Sequence, residues 1–108
     1  MIIYKGKYVV SEFGEVWNIK TKKKIKPHVH EGRKGSFYLR YTLDGKHIKA
    51  HRLVYICFNG PIPKDMQLDH YDGNSFNNYK KNIIAVTPEQ NRMKKRSYRH
   101  YMQITMDK

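Results

Sequence analysis

The chain has 108 residues, with 22 Lys plus Arg against 9 Asp plus Glu, a formal net charge of +13. That length fits one domain, or one domain with a small appendage, and the polar mean hydropathy, with no apolar run near the roughly 18 residues a membrane span needs, argues against a transmembrane chain. The single cysteine, Cys57, excludes a disulfide framework and a cysteine-based zinc site, and the opening MIIYKGKYVV has no charged segment leading into an apolar stretch, so no signal peptide is expected.

Tyr8-Val9-Val10-Ser11 is β-prone, and Gly14 separates it from Val16-Trp17-Asn18-Ile19 as a hairpin connection requires. Residues 20–35 are basic, contain Pro27 and two glycines, and are expected to form a loop. The run Phe37–Leu43 alternates as a strand with one wet face. Asp44-Gly45 after it is a strong hairpin signal, which makes Lys46-His47-Ile48-Lys49 the returning strand with Ile48 inward. The period then changes. Leu53, Val54, Cys57 and Phe58 predict a buried helix of about two turns over residues 51–58, stopped by Asn59-Gly60-Pro61.

Met66-Gln67-Leu68-Asp69 reads as a short strand, Asp72-Gly73-Asn74-Ser75 as a turn cluster, and Ile83-Ile84-Ala85-Val86 as a second strand. Thr87-Pro88-Glu89-Gln90 starts a helix, with Thr87 as N-cap, Pro88 in the first helical position and Gln90 closing a capping box; the helix is expected to reach about Tyr98. Trp17, Phe37, Tyr55 and Phe58 are expected in the core. No repeat of 20 to 50 residues is visible. The fold class is therefore α+β. An N-terminal small antiparallel β-module spans 1–50, a unit ending in strand, loop, strand and helix spans 51–97, and a tail spans 98–108.

The charge favours a polyanion partner. Tyrosines lie among basic residues, as in Tyr38-Leu39-Arg40-Tyr41 and Tyr98-Arg99-His100-Tyr101, and together these types contact phosphate, sugar and base faces. Charge alone does not separate binding from cutting or packaging, and a basic domain with solvated lysines is the plain alternative.

Four polar residues of the second unit stand out: Asp69, His70, Asn82 and Asn91. A carboxylate and an amide, Asp69 and Asn91, offer oxygen ligands that suit Mg²⁺ or Mn²⁺ and leave positions for water and phosphate oxygens. Strand alternation points His70 away from Asp69, and an imidazole, with an ordinary pKa near about 6.5, suits a general base acting on water. Asn82 is placed to orient, by tying down the intervening loop and fixing the histidine. Singly, each residue reads as a turn, a loop end or a solvated helix position, and Asn77 and Asn78 read as ordinary loop residues. Jointly, on a basic chain, the four favour a site. The acidic spacing of an EF-hand is absent.

Leu68-Asp69-His70-Tyr71-Asp72-Gly73-Asn74, then Asn77-Asn78, Asn82-Ile83, Val86-Thr87 and Glu89-Gln90-Asn91, resembles the HNH endonucleases, in particular their phage and intron-borne homing group. Ala50-His51-Arg52-Leu53-Val54 and Phe58 match the segment that precedes the motif there. The stretch from Tyr8-Val9-Val10-Ser11 through Gly14-Glu15-Val16-Trp17-Asn18 matches a small β-rich module common upstream, so the resemblance covers nearly residues 4–96. It implies a ββα-metal (His-Me finger) fold that cuts or nicks DNA with a divalent cation, Mg²⁺ or Mn²⁺. It also implies that Asp69 and Asn91 are metal ligands, His70 is the general base and Asn82 is the central orienting residue. Asn91 stands where the last histidine of the letters HNH is usual, which makes this an H-N-N variant. No DNA-reading module follows residue 96, so long-site specificity is not expected.

Arg92, Lys94, Lys95, Arg96 and Arg99 are expected to hold phosphates, against the reading of a solvated basic helix end that complements the helix dipole. Arg40, with Arg33 and Lys34, is expected to reach a groove from the β-module. His28, His30 and His47 read as exposed loop or strand residues, and His51 as structural. The partner is expected to be duplex DNA, bound by a monomer or a homodimer, in the cytoplasm of a bacterial host that carries a phage-borne gene. Two rivals stay open from sequence: a non-catalytic DNA-binding module that keeps the fold, and, on charge alone, an RNA- or ribosome-associated basic protein.

Overall fold

The computed structural model describes residues 1–93. β1 (Ile2–Tyr4), β2 (Tyr8–Val10), β3 (Val16–Asn18) and β4 (Lys24–Ile25) form an antiparallel sheet in that order. β5 (His28–Glu31), β6 (Phe37–Leu43) and β7 (Lys46–Lys49) form a second sheet, and β8 (Gln67–His70) pairs with β9 (Ile83–Val86) in a two-stranded ribbon. The helix α1 (Ala50–Asn59) follows β7 without a linker, and helix α2 occupies residues 88–93. Among the described residues no helix is long and apolar enough to cross a membrane.

Alternation builds the core. Tyr8 and Val10 of β2 face inward beside Val16, which pairs with Val10 across the sheet. On β6 the inward residues are Tyr41 and Leu43, whereas Tyr38, Arg40 and Thr42 lie on the opposite face. The helix α1 covers the inward faces with Ala50, Leu53 and Val54, at the i, i+3, i+4 spacing of a buried stripe. Ile83 of β9 completes the cluster, so the core draws on residues from both the β-module and the ribbon. Gly60 ends α1 at φ 93°, where its N–H donates to the Ile56 carbonyl at 3.1 Å.

The β6–β7 hairpin, β9 and the capping box fall where the sequence places them. Asp44 and Gly45 take φ 52° and 76°, as a tight hairpin turn requires. Thr87 and Gln90 exchange hydrogen bonds of 2.9 and 3.1 Å. Residues 20–35 differ from expectation, because β4 and β5 lie there. Val16 pairs with Ile25 and Trp17 with Lys24, while β5 pairs with the first half of β6, from His28–Arg40 to Glu31–Phe37. The sequence of β5, His-Val-His-Glu, places its one aliphatic residue, Val29, toward solvent; backbone pairing rather than apolar alternation specifies the strand.

The expected aromatic core also needs correction. Phe37 is 45% exposed at the start of β6, and Trp17 is only half-buried. Tyr55 and Phe58 pack against the core from its edge, and Tyr8 and Tyr41 are the aromatics inside it. Tyr41 is tolerated there because its hydroxyl donates to the Gly14 carbonyl at 2.7 Å.

The turn over residues 11–14 fixes how the first sheet meets the ribbon loop. The buried Ser11 side chain accepts from the N–H groups of Phe13 and Glu15 at 3.2 and 3.1 Å. Gly14 follows in the left-handed region at φ +83°, and a Cβ there would stand 3.0 Å from Asn78 Cβ and 3.3 Å from Val54 Cγ2. Beside it the Lys80 N–H donates to the Glu12 carbonyl at 2.8 Å, the Lys80 and Glu12 side chains pair at 3.0 Å, and the rings of Phe13 and Tyr79 stack at 5.1 Å.

Candidate active site

The loop between β8 and β9 is held by its own amides. Asn82, 8% exposed, accepts from the Asp72 N–H at 3.0 Å through Oδ1. Its Nδ2 donates to Asp72 Oδ1 at 2.9 Å and to the Asn77 carbonyl at 2.8 Å. Asn77 donates to the other Asp72 oxygen at 2.8 Å, and the Asn74 N–H to Oδ1 at 2.8 Å. Burial works to raise the Asp72 pKa, but the hydrogen bonds from Asn77, Asn74 and Asn82, with a contribution from His70, hold it below the ordinary carboxylate range. Asn82 thus ties down the loop as its position suggested.

Contact with the His70 ring comes from a residue read as ordinary loop. Asn78 is 4% exposed, and its Oδ1 lies 2.9 Å from His70 Nε2. His51 of α1 also approaches the ring edge-on, with centroids 5.0 Å apart. His51 in turn meets Tyr38, which meets His30, at 6.4 and 5.3 Å. The polar face of the second sheet therefore runs into the site.

His51 is pushed down to about 3, first by burial and then by its neighbours His70, Lys49 and Arg52. Its ordinary value is 6.5. Between those limits the unfolded chain takes up a proton that the fold refuses, so His51 lowers stability progressively as pH falls through that window. Urea titrations at about pH 7.5 and about pH 5 are expected to show a smaller acid loss for His51→Asn than for the parent. Equal losses in the two proteins would contradict a buried, neutral His51.

Asp69 and Asn91 come from β8 and α2. The Asn91 backbone N–H donates to the Thr87 carbonyl at 2.9 Å, and its side-chain Nδ2 donates to Gln67 Oε1 at 2.9 Å. Gln67 and Asp69 are two apart on β8 and share a face, so this bond hangs Asn91 from the face that carries Asp69. The Asn91 Oδ1 is buried and has no hydrogen-bond partner. Such an acceptor is costly unless something else occupies it. Among the described residues no three His, Cys, Asp or Glu side chains converge on a metal position. A carboxylate, an unpartnered amide oxygen and free positions for water fit a hard cation such as Mg²⁺ or Mn²⁺.

Of the expected phosphate contacts, Arg92 is exposed on α2. Lys94, Lys95, Arg96 and Arg99 lie outside the described residues, as do the helix's run to Tyr98 and the tail over 98–108. Arg40 shares a row with His28 and Lys49 on the face that carries Tyr38, and its Nε is buried without a partner. Arg33 and Lys34 are exposed at the β5–β6 connection, where Lys34 takes φ 56°. His28 and His47 are exposed on strands. Asn78 is the site residue that sequence reasoning passed over, and Tyr38, singled out only with its basic neighbours for nucleic-acid contact, also reaches the site through His51. For Asn78 the signal was present, since Asn77-Asn78 is part of the matched text.

The pattern of the HNH endonuclease family matches residues 49–93. The chain is 36% identical over 88 residues to DNA endonuclease I-HmuI of Bacillus phage SP01, which covers 82% of this chain and 51% of that protein. It is 28% identical over 91 residues to H-N-H endonuclease F-TflII of Escherichia phage T5, covering 81% and 46%. The solved structure of the HNH homing endonuclease I-HmuI superimposes with a TM-score of 0.67 at 32% identity, covering 95% of this chain and 62% of that one. The chain thus spans about half the length of these relatives. Sequence pattern and ribbon-and-helix architecture agree, and the chain belongs to the HNH endonuclease family.

Proposed function

We propose that the protein is a metal-dependent DNA endonuclease that hydrolyses a phosphodiester bond. The observation that carries the reading is the unpartnered, buried Asn91 Oδ1, hung from the Asp69 face of β8, the strand that ends in a histidine in contact with Asn78 and His51. Asp69 and Asn91 would hold the cation, Mg²⁺ or Mn²⁺, which when bound neutralises charge on the phosphate and on the leaving 3′ oxygen. His70 takes a proton from water as that water attacks phosphorus. Asn82 acts through the loop, keeping residues 72–77 in place beside the ring. Arg40, Arg92 and the basic residues that follow hold phosphates of duplex DNA, with Lys49 of the same sheet face. The phage origin of the relatives supports a phage-borne gene acting in the bacterial cytoplasm.

The test is conversion of supercoiled plasmid in Mg²⁺ or Mn²⁺, with EDTA as control. Metal-dependent open circles are expected, because one such site acts on one strand; linear product would indicate a dimer or two sequential events. Salt-sensitive binding without conversion in either metal would favour a non-catalytic module.

A further inference from the structure

We infer that the cleft between β1, β7 and α1 is a second ligand site, which takes a nucleoside di- or triphosphate with its phosphates at a basic rim and its base on an apolar floor. The cleft has a volume of about 480 Å³, within the range of small-molecule sites. It opens at β7, an outer strand of its sheet, and none of its walls comes from the ribbon or from α2. Tyr4, Leu43, Ile48 and Ile56 make the floor. Leu43 pairs with Lys46 and Tyr41 with Ile48 across the β6–β7 hairpin, so Leu43, Lys46 and Ile48 share the inward face with Tyr41. The face of Tyr38 and Arg40, proposed above to meet duplex DNA, is the opposite one. A duplex lying there does not cover this floor.

The rim is basic and uncompensated. Lys5, Lys46 and Arg52 are exposed around the cleft, and among the described residues none of the three is in an ion pair. The Lys5 ammonium stands 5.5 Å from the centre of the Tyr4 ring, so charge and a flat apolar surface meet in one wall. The acid of the cleft, Asp44, is already engaged by Lys7 at 3.4 Å. Lys49 also lines the cleft, but its ammonium lies 4.8 Å over the Tyr38 ring, on the side of the DNA face. Two ammonium groups and a guanidinium suit phosphate oxygens, two of which an arginine can bind at once. The apolar floor suits a flat base and gives an inorganic anion nothing to rest on. A DNA strand offers the same chemistry of phosphate and base, but with its charge spread along the backbone. Three cations about one small cleft match the clustered charge of a polyphosphate better.

The experiment titrates the full chain, ¹³C-labelled at its isoleucine methyls, with ATP in EDTA, so that no divalent cation draws the nucleotide to the ribbon. Ile48→Val and Ile56→Val assign the two signals at the floor. ATP is expected to shift both saturably, inorganic tripolyphosphate to compete with it, and adenosine without phosphates to leave both signals in place. Reversing the rim with Lys46→Glu and Arg52→Glu together should weaken ATP at least about 10-fold. Should that pair fail to fold, the neutral pair Lys46→Gln and Arg52→Gln should still weaken it by about threefold. No saturable shift with ATP, or an unchanged affinity in a folded rim variant, would overturn the inference. So would shifts at these methyls with a short duplex and none with ATP, which would give the cleft to the DNA strand. Since no cleavage is measured, the result is independent of the nuclease reading.

Discussion

His70→Ala is expected to lower the single-turnover cleavage rate by about 100- to 10,000-fold, the usual contribution of a positioned general base, while DNA affinity stays within about twofold. The separation follows from where the ring sits. It is half-buried at the end of β8 in contact with Asn78 and His51, and the charge attraction to a polyanion comes from the 22 lysines and arginines, which the substitution leaves in place. Truncation also strands Asn78 Oδ1 in a buried place, at a cost of about 1 to 3 kcal/mol. A melting curve must therefore accompany the rate, and His70→Gln serves as a second variant that keeps bulk and an amide donor near Asn78. Plasmid conversion and fluorescence anisotropy on the same preparations separate the two quantities. Cleavage at the parent rate by both variants would end the mechanism.

Asn91→Leu is expected to trade metal dependence against stability. In the parent, Asn91 Oδ1 is a buried acceptor without a protein partner, a condition that costs about 1 to 3 kcal/mol when nothing binds there. An apolar group of similar bulk removes that cost, and its former partner Gln67 is exposed and can turn to water. In EDTA the variant should melt at or above the parent temperature, by up to about 4 to 8 °C per kcal/mol regained. With Mg²⁺ the order should reverse. The parent gains stability from a ligand that binds only the folded state, whereas the variant gains little, and its cleavage falls by about 100-fold. A variant less stable in EDTA, yet unchanged in its Mg²⁺ response, would show that Oδ1 serves the fold and not a cation.

The parts of this fold that can be read from sequence are those with local causes. A capping box needs only four consecutive residues, and Thr87 to Gln90 form one; Asp44-Gly45 needs only its own left-handed φ values. The stripe of Leu53 and Val54 gives α1 to within a residue or so at each end. What was missed has distant causes. β5 exists because β6 lies beside it, not because His-Val-His-Glu favours a strand. Phe37 was expected inside on its side-chain type, but it falls at the start of β6 and is largely exposed, whereas Tyr41 gains its buried place from a carbonyl 27 residues away.

The candidate site divides in the same way. Asp69, His70, Asn82 and Asn91 were identifiable as chemical types at telling spacings. Which amide meets the histidine was not, since Asn77, Asn78 and Asn82 are the same side chain in one loop. Only the folded loop turns Asn77 and Asn82 onto Asp72 and Asn78 onto His70.

The absence of any linker between β7 and α1 bears on how such a chain can be inherited. Lys49 ends a strand and Ala50, already buried, begins the helix that closes the core over Tyr8, Val10 and Val16. Recombination at that joint would hand the recipient a nuclease motif with an open hydrophobic flank and no support behind its loop. Exchange of the two segments as one cassette, by contrast, carries the flank and its cover together.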